Sequence, residues 1–232
     1  MQDPIENRPP LAFDGVLVVV GGGELDTALL RNLAARGAHL VGADGGGDVI
    51  ADAGLVPEAI IGDFDSLKSA SDWDARTQLR RIAEQETTDF EKTLYSTSAA
   101  VTVGLGMTGR RFDHTLAALD AVTRYADGRS IILVDAFDIA LALTGRFAFT
   151  VEPGARVSIH PLTPVRFARS TGLKYALDGL TLAPGLRTGT SNEAVTAEFS
   201  IEPAVGNTGV WLLIVERRWL NALIDRLLAD RP

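Results

Sequence analysis

The sequence predicts a two-part chain: a Rossmann-like open parallel sheet with helices on both faces, then a small β-sandwich and a terminal helix. Three observations carry this reading. Apolar runs alternate with helical stretches as far as about Leu143. Beyond that point short β-like runs follow one another, separated by Pro153-Gly154, Asp178-Gly179, Pro184-Gly185 and Asn207-Thr-Gly209. No convincing helical pattern returns until Trp219–Ala229. The expected domains are an α/β domain over 1–143 and an all-β domain over 144–232.

Each element follows from local pattern. Met1–Pro10 is polar with two adjacent prolines and lacks a basic segment followed by an apolar one, so it reads as a loose lead-in and not as a signal peptide. Val16–Val20 is a largely β-branched strand that runs into Gly21-Gly22-Gly23. Leu25 to Arg36 has helical spacing, with Gly37 as its stop. A strand at His39–Ala43, a short helix to Ala53, the stop Gly54 and a strand at Ala59–Gly62 come next. Arg81–Ala83 is a further candidate strand. Thr88 to Ala99 reads as a helix capped by Thr87 or Thr88. Ala100–Gly104, Phe112 to Ala126 and Ile131–Val134 complete the alternation as strand, helix and strand. The later β runs are Arg146–Val151, Arg156–His160, Ala194–Ile201 and Val210–Val215. The last helix sets Leu220, Leu223, Ile224, Leu227 and Leu228 on one stripe, which packs on its own domain or on a partner subunit.

Composition narrows the function classes. The 232 residues are 46 % hydrophobic, enough for a real core. There is no cysteine, which excludes disulfides, thiolate zinc sites and a cysteine nucleophile. No apolar run approaches the roughly 18 residues a membrane helix needs. With no targeting signal read, a cytoplasmic location is expected. A formal net charge of −8 disfavours nonspecific binding to a phosphate backbone. An acidic chain that binds polyphosphate tends to place a metal between the two. G-x-x-x-x-G-K-[ST], the protein-kinase signatures and G-x-S-x-G are all absent.

Four segments carry chemistry, three of them at strand ends, where open α/β sheets bind ligands. In Ala43-Asp44-Gly45-Gly46-Gly47, Gly45 and Gly46 let backbone N–H groups approach a ligand, and Asp44 suits a ribose hydroxyl or a metal-bound water. In Gly62-Asp63-Phe64-Asp65-Ser66, Asp63 and Asp65 alternate on an expected extended segment and point the same way. Two converging carboxylates either hold a cation, for which oxygen ligands suit Mg²⁺, or divide into a turn cap and a solvated group. In Glu84 to Lys92, Thr88 and Asp89 begin a helix, whose free N–H groups favour phosphate; the same residues also form an ordinary cap. Asp89 offers a third acidic ligand, and Lys92 lies one turn along the helix, within reach of a phosphate oxygen. In Gly109 to Thr115, Arg111 can neutralise charge on a transferring phosphoryl group, Asp113 can cap the helix, and His114 reads as a hydrogen-bonded structural group. Together these are parts for metal-assisted phosphoryl transfer.

ADGGG at 43–47, PEAIIGDFDSL at 57–67, TTDFEKTL at 87–94, GRRFDHTLAAL at 109–119 and TSNE at 190–193 resemble the successive signatures of thiamine pyrophosphokinases. The resemblance covers nearly the whole chain apart from the N-terminal lead and the last helix. It implies that ATP and thiamine give AMP and thiamine diphosphate. It implies a homodimer, with ATP and Mg²⁺ on the α/β domain and thiamine where that domain meets the β-domain of the neighbouring subunit. By motif, Asp63, Asp65 and Asp89 match the magnesium ligands, with Asp44 nearby. Gly45, Gly46, Gln85, Thr88 and Lys92 fall where the family handles ATP. Arg111, Asp113 and His114 fall in its G-G-R-x-D-H segment, and Ser191 and Asn192 in the Ser-Asn segment that helps hold thiamine.

Three positions depart from the family pattern. Glu84 and Glu86 stand where Asp is usual, Arg110 replaces the second glycine of G-G-R, and Ala118 stands where many members have Asn. Two other functions fit the same residues: a pyrophosphokinase for another hydroxymethyl heterocycle such as a pterin, and a non-catalytic nucleotide- or thiamine-binding protein.

Overall fold

Val16–Val20 shows why the first part of the chain folds as it does: residues 17 to 20 are all fully buried, as a strand covered on both faces requires. The computed structural model describes residues 9–68, 73 and 75–230, so residues 1–8 of the expected lead-in lie outside the described residues. The protein is a mixed α/β chain that divides into two compact units. The first takes the chain up to Ala121 with Leu133–Ala136; the second takes Val122–Ile132 with Phe137 onward.

The elements run, in order, β1 (Leu11–Ala12), β2 (Val16–Val20), α1 (Thr27–Ala35), β3 (His39–Ala43), α2 (Gly46–Asp52), β4 (Ala59–Gly62), β5 (Gln78–Arg81), α3 (Asp89–Ser96), β6 (Thr97–Ser98), β7 (Val101–Leu105), α4 (Phe112–Tyr125) and β8 (Ser130–Val134). In the first unit β7, β2, β3, β4 and β5 lie side by side in that order, every pair parallel. β1 pairs in parallel with β6.

Helix ends follow their side chains. Asp26 caps α1 by accepting from the amides of Ala28 and Leu29 at 2.9 and 3.2 Å, so the helix starts two residues later than its spacing suggested. Leu30 and Leu33 are its buried face. Thr88 caps α3, the second of the two candidates, its hydroxyl accepting from the amide of Glu91. One strand moved: the expected Arg81–Ala83 is β5 at Gln78–Arg81. Its polar sequence hides it, because Arg80 is buried through hydrogen bonds to the carbonyls of Pro9 and Ser96 and not through an apolar face.

The second unit continues with β9 (Asp138–Leu143), β10 (Phe147–Thr150), β11 (Arg156–Pro161), β12 (Val165–Thr171), β13 (Thr181–Leu182), β14 (Gly189–Glu193), β15 (Glu198–Pro203), β16 (Trp211–Glu216) and α5 (Leu220–Ala229). β14, β11, β16 and β9 pair antiparallel in that order, and so do β10, β15, β12 and β13. Phe167 of β12 meets Trp211 of β16 edge-to-face at 5.7 Å, and Phe149 lies 6.4 Å from Phe199. The expected strand Ala194–Ile201 begins four residues later, because Ala194 is spent on an isolated bridge to Leu173. Leu220, Leu223, Ile224 and Leu227 of α5 are buried within the chain itself.

Candidate active site

β2, β3, β4 and β7 all present their carboxyl ends to a cleft of about 690 Å³ in the first unit. β2 lies between β7 and β3: the chain runs from β2 out to β5 on one side and returns to β7 on the other, and ligands of open sheets bind at such a reversal. Gly46 explains how α2 starts so close to this edge. A Cβ there would lie 1.8 Å from the carbonyl oxygen of Val20, so only glycine fits. Gly45 precedes it as the helix cap and has no side chain to occupy the cleft wall.

Acidic groups converge at the floor. Asp44 directly follows β3 and is 2 % exposed. Each of Asp44, Asp63 and Asp65 offers a carboxylate oxygen, and the three lie within 4.8 Å of one another. One Asp44 oxygen accepts from the amide of Ser66 at 3.0 Å; the other, Oδ1, is buried and has no hydrogen-bond partner among the described residues. Burial pushes the Asp44 carboxyl above its usual pKa, against hydrogen bonds from Ser66. Asp63 moves the opposite way. A hydrogen bond from the Gln85 amide at 2.8 Å is the largest cause of its lowered pKa.

The segment carrying Asp63 and Asp65 is not extended as its alternation suggested. β4 stops at Gly62, and Phe64 has φ 69°. The Asp63 carboxylate turns the chain by accepting from the amide of Asp65 at 3.1 Å, and the two carboxylates still converge. Asp65 in turn accepts from the Ser66 hydroxyl at 2.8 Å.

The tightest acidic trio therefore contains Asp44 where the motif reading had Asp89. Asp89 sits at the start of α3, 3.1 Å from the Lys92 ammonium. Burial raises its pKa, opposed by Lys92 and reinforced by Asp44 and Asp63. A Cβ on Gly62 would stand 2.7 Å from that of Asp44 and 3.1 Å from an Asp89 oxygen, so this glycine lets the acids gather. Lys92 is 2 % exposed and turns inward, with Asp63 at 4.0 Å as its second partner. Asp89 and Asp63 thus share the buried Lys92 ammonium, while Asp44 and Asp65 crowd against Asp63. The orphaned Asp44 oxygen and the all-oxygen donor set fit a hard divalent cation.

The other expected residues are placed as follows. Gln85 and Thr88 line the cleft with Lys92. Arg111 and His114 line it too, and both are exposed. Asp113 is not the helix cap; α4 already begins at Phe112, and Asp113 pairs with Arg111 at 2.7 Å on the surface. Their mutual hydrogen bond raises the Arg111 pKa and lowers that of Asp113. Arg110 is exposed on the cleft wall.

Ser191 and Asn192 belong to the second unit. Ser191 is exposed with φ 60°, and its amide donates to the Ser158 hydroxyl at 2.9 Å. Asn192 is 3 % exposed, and its amide is committed to the backbone: Oδ1 accepts from Tyr175 and Glu193, and Nδ2 donates to the Tyr175 carbonyl.

Backbone strain marks the same motifs. Among the described residues the non-glycine residues in the left-handed region are Asp44, Phe64 and Ser191, one in each of ADGGG, GDFDS and TSNE. Sequence reasoning passed over Ser66, whose amide and hydroxyl serve Asp44 and Asp65. Its signal was its place directly after the paired acids.

The chain is similar to known proteins. Residues 30–133 match the family model described as thiamin pyrophosphokinase, catalytic domain. Thiamin pyrophosphokinase 1 of Caenorhabditis elegans is 30 % identical over 157 residues, covering 61 % of this chain and 64 % of that one, just under two thirds of the relative's length. The crystal structure of thiamin pyrophosphokinase from Geobacillus thermodenitrificans superposes with a TM-score of 0.71 at 25 % identity, covering 87 % of this chain and 97 % of that chain. The yeast thiamin pyrophosphokinase structure, at 15 % identity and a TM-score of 0.69, covers 94 % of each chain and shares the fold.

Proposed function

We propose, from the match of residues 30–133 to the thiamin pyrophosphokinase catalytic-domain model, that this protein transfers a diphosphate group from ATP to the hydroxyl of thiamine. The observation that carries the reading is the cluster of Asp44, Asp63 and Asp65 beside Asp89 and Lys92, at the sheet edge where nucleotides bind. On this reading the first unit is the Rossmann-like ATP domain and the second a small sandwich that serves thiamine through Ser191 and Tyr175, with Asn192 holding their segments together.

The thiamine oxygen forms a bond to the β-phosphorus of ATP, and the bond from that phosphorus to the α-phosphate oxygen breaks. The products are thiamine diphosphate and AMP, and the hydroxyl proton leaves to a carboxylate or to water. Asp44, Asp63, Asp65 and Asp89 would hold Mg²⁺, which when bound neutralises phosphate charge. The protein's own contribution is placement. Gln85 fixes Asp63, Ser66 fixes Asp44 and Asp65, and Lys92 keeps Asp89 and Asp63 from repelling each other. Arg111 lies on the cleft wall, where it can meet charge that develops on the departing phosphate. Gly45 leaves the cleft wall open to the nucleotide, while Gly46, buried against the Val20 carbonyl, lets α2 start at this edge. Two copies are expected to assemble, and no described helix is long and apolar enough to cross a membrane.

The test compares wild-type protein with Asp65→Asn for thiamine-dependent AMP release. The variant should fold normally and lose turnover by at least about a hundredfold. Near-normal activity in it would sink the reading. ATP and thiamine binding without AMP release by the wild type would instead indicate a binding protein, and turnover with a pterin alcohol alone would indicate another acceptor.

A further inference from the structure

Glu84 precedes the cleft residues Gln85, Thr87, Thr88 and Asp89, yet it does not line the cleft, and its carboxylate folds back onto the chain. Oε2 accepts from the amides of Glu86 at 2.7 Å and Thr87 at 3.0 Å. Oε1 accepts from the Thr87 hydroxyl and from the Tyr95 hydroxyl at 3.1 Å. Tyr95 lies near the end of α3, the helix that Thr88 caps and that carries Asp89 and Lys92. One carboxylate thus closes the turn over 84–87 and bolts that turn to α3. Between the two bolted ends stands Gln85, whose amide holds Asp63 at 2.8 Å.

We propose that Glu84 is a positioning residue: it sets the Gln85 amide and the start of α3 so that Asp63 and Asp89 face the same point in the cleft. The proposal deepens the diphosphotransferase reading and rests on it for the identity of that point. It also gives a use to the extra methylene of Glu84. An aspartate at this position can still accept from the two backbone amides, as in an ordinary side-chain turn, but on its shorter stem it cannot keep those bonds and also reach Tyr95. Hydrogen bonds to an ionised carboxylate are strong ones, and these outweigh the burial that works against the charge. Supporting groups of this kind typically change metal affinity by about 10–100-fold when removed.

The experiment uses the full chain without nucleotide and Mn²⁺ as the probe, its binding followed by electron paramagnetic resonance. Site-resolved amide exchange at Glu86 and Thr87 and thermal unfolding accompany it. E84Q should weaken Mn²⁺ binding by about tenfold or more and speed exchange at both amides. E84D and Y95F should each weaken binding only about threefold, and the double variant E84D/Y95F no further, because both remove the same bond. In turnover the Mg²⁺ concentration for half-maximal rate should rise in the same order, with KM for thiamine unchanged. E84Q that exchanges faster but binds Mn²⁺ within twofold of wild type would reduce Glu84 to a structural group and overturn the proposal. Additive losses in the double variant would overturn the link through Tyr95, and they remain measurable if E84Q does not fold. Wild type that binds Mn²⁺, with the variants in the expected order but no thiamine diphosphate formed, would leave the positioning role standing and remove the proposed reaction.

Discussion

Replacing Asp44 by Asn should make the metal-free protein more stable while removing its response to Mg²⁺. Asp44 is almost fully buried, with one carboxylate oxygen unpaired and two other carboxylates within 4.8 Å. Two unit charges at that separation repel by about 3.5 kcal/mol at an effective dielectric constant of 20. Asp63 and Asp65 reach solvent and are partly screened, so a net gain of about 1 kcal/mol on neutralising Asp44 is the reasonable scale. For a chain of this length that raises Tm by about 2–4 °C. Asn keeps an acceptor for the Ser66 amide, tolerates the left-handed backbone at φ 45°, and turns a donor toward the other two acids.

The pH dependence has a definite sign. Burial raises the folded-state pKa of Asp44, so the folded chain binds this proton more tightly than the unfolded chain. The wild type therefore loses stability as pH rises from the ordinary aspartate range through that raised pKa. The advantage of Asp44→Asn should be full above that raised pKa and shrink as pH falls toward about 4. Calorimetric melts with EDTA and with Mg²⁺ provide the assay. Mg²⁺ at about 100 times its Kd should add about 2.7 kcal/mol to the wild type and little to the variant. A variant less stable than wild type in EDTA, or equally stabilised by Mg²⁺, would refute the reasoning.

Other perturbations follow from the same contacts. Lys92→Met strands Asp89 and Asp63 without their ammonium; it should cost about 1–3 kcal/mol at neutral pH, and urea titrations should show that loss shrinking as falling pH protonates Asp89, whose pKa burial raises. A loss that persists unchanged at pH 4 would mean that packing, not charge, explains Lys92. Asn192→Ala leaves part-buried backbone groups of Tyr175 and Glu193 without their side-chain partner, and should cost about 1–3 kcal/mol in denaturant unfolding; a cost below about 0.5 would show that water replaces the amide freely.

Much of the first unit is legible because its strands are apolar on both faces. Val16–Val20, His39–Ala43 and Ala59–Gly62 appear within the bounds that periodicity gives them. Where polar bonds replace apolar burial the pattern goes silent. β5 is held by Arg80 reaching two carbonyls, and β12 exposes four of its seven residues, so neither announces itself. At the site, a strand end pointed to Asp63 and Asp65 and a helix start to Asp89. Spacing could not show that a left-handed turn at Asp44 brings a fourth acid into the tightest group, or that Phe64 bends the segment between the paired aspartates. The same limit hid the contacts of Glu84, which the sequence marks only as a departure, because its partners Thr87 and Tyr95 are set by a turn and a helix and not by any motif.

The most direct test of the account is a phosphorus NMR time course of the wild type with Mg²⁺-ATP and thiamine. The account predicts AMP and thiamine diphosphate in equal amounts, with no ADP as a primary product. ADP with thiamine monophosphate, or ATP left unconsumed by folded protein, would contradict it.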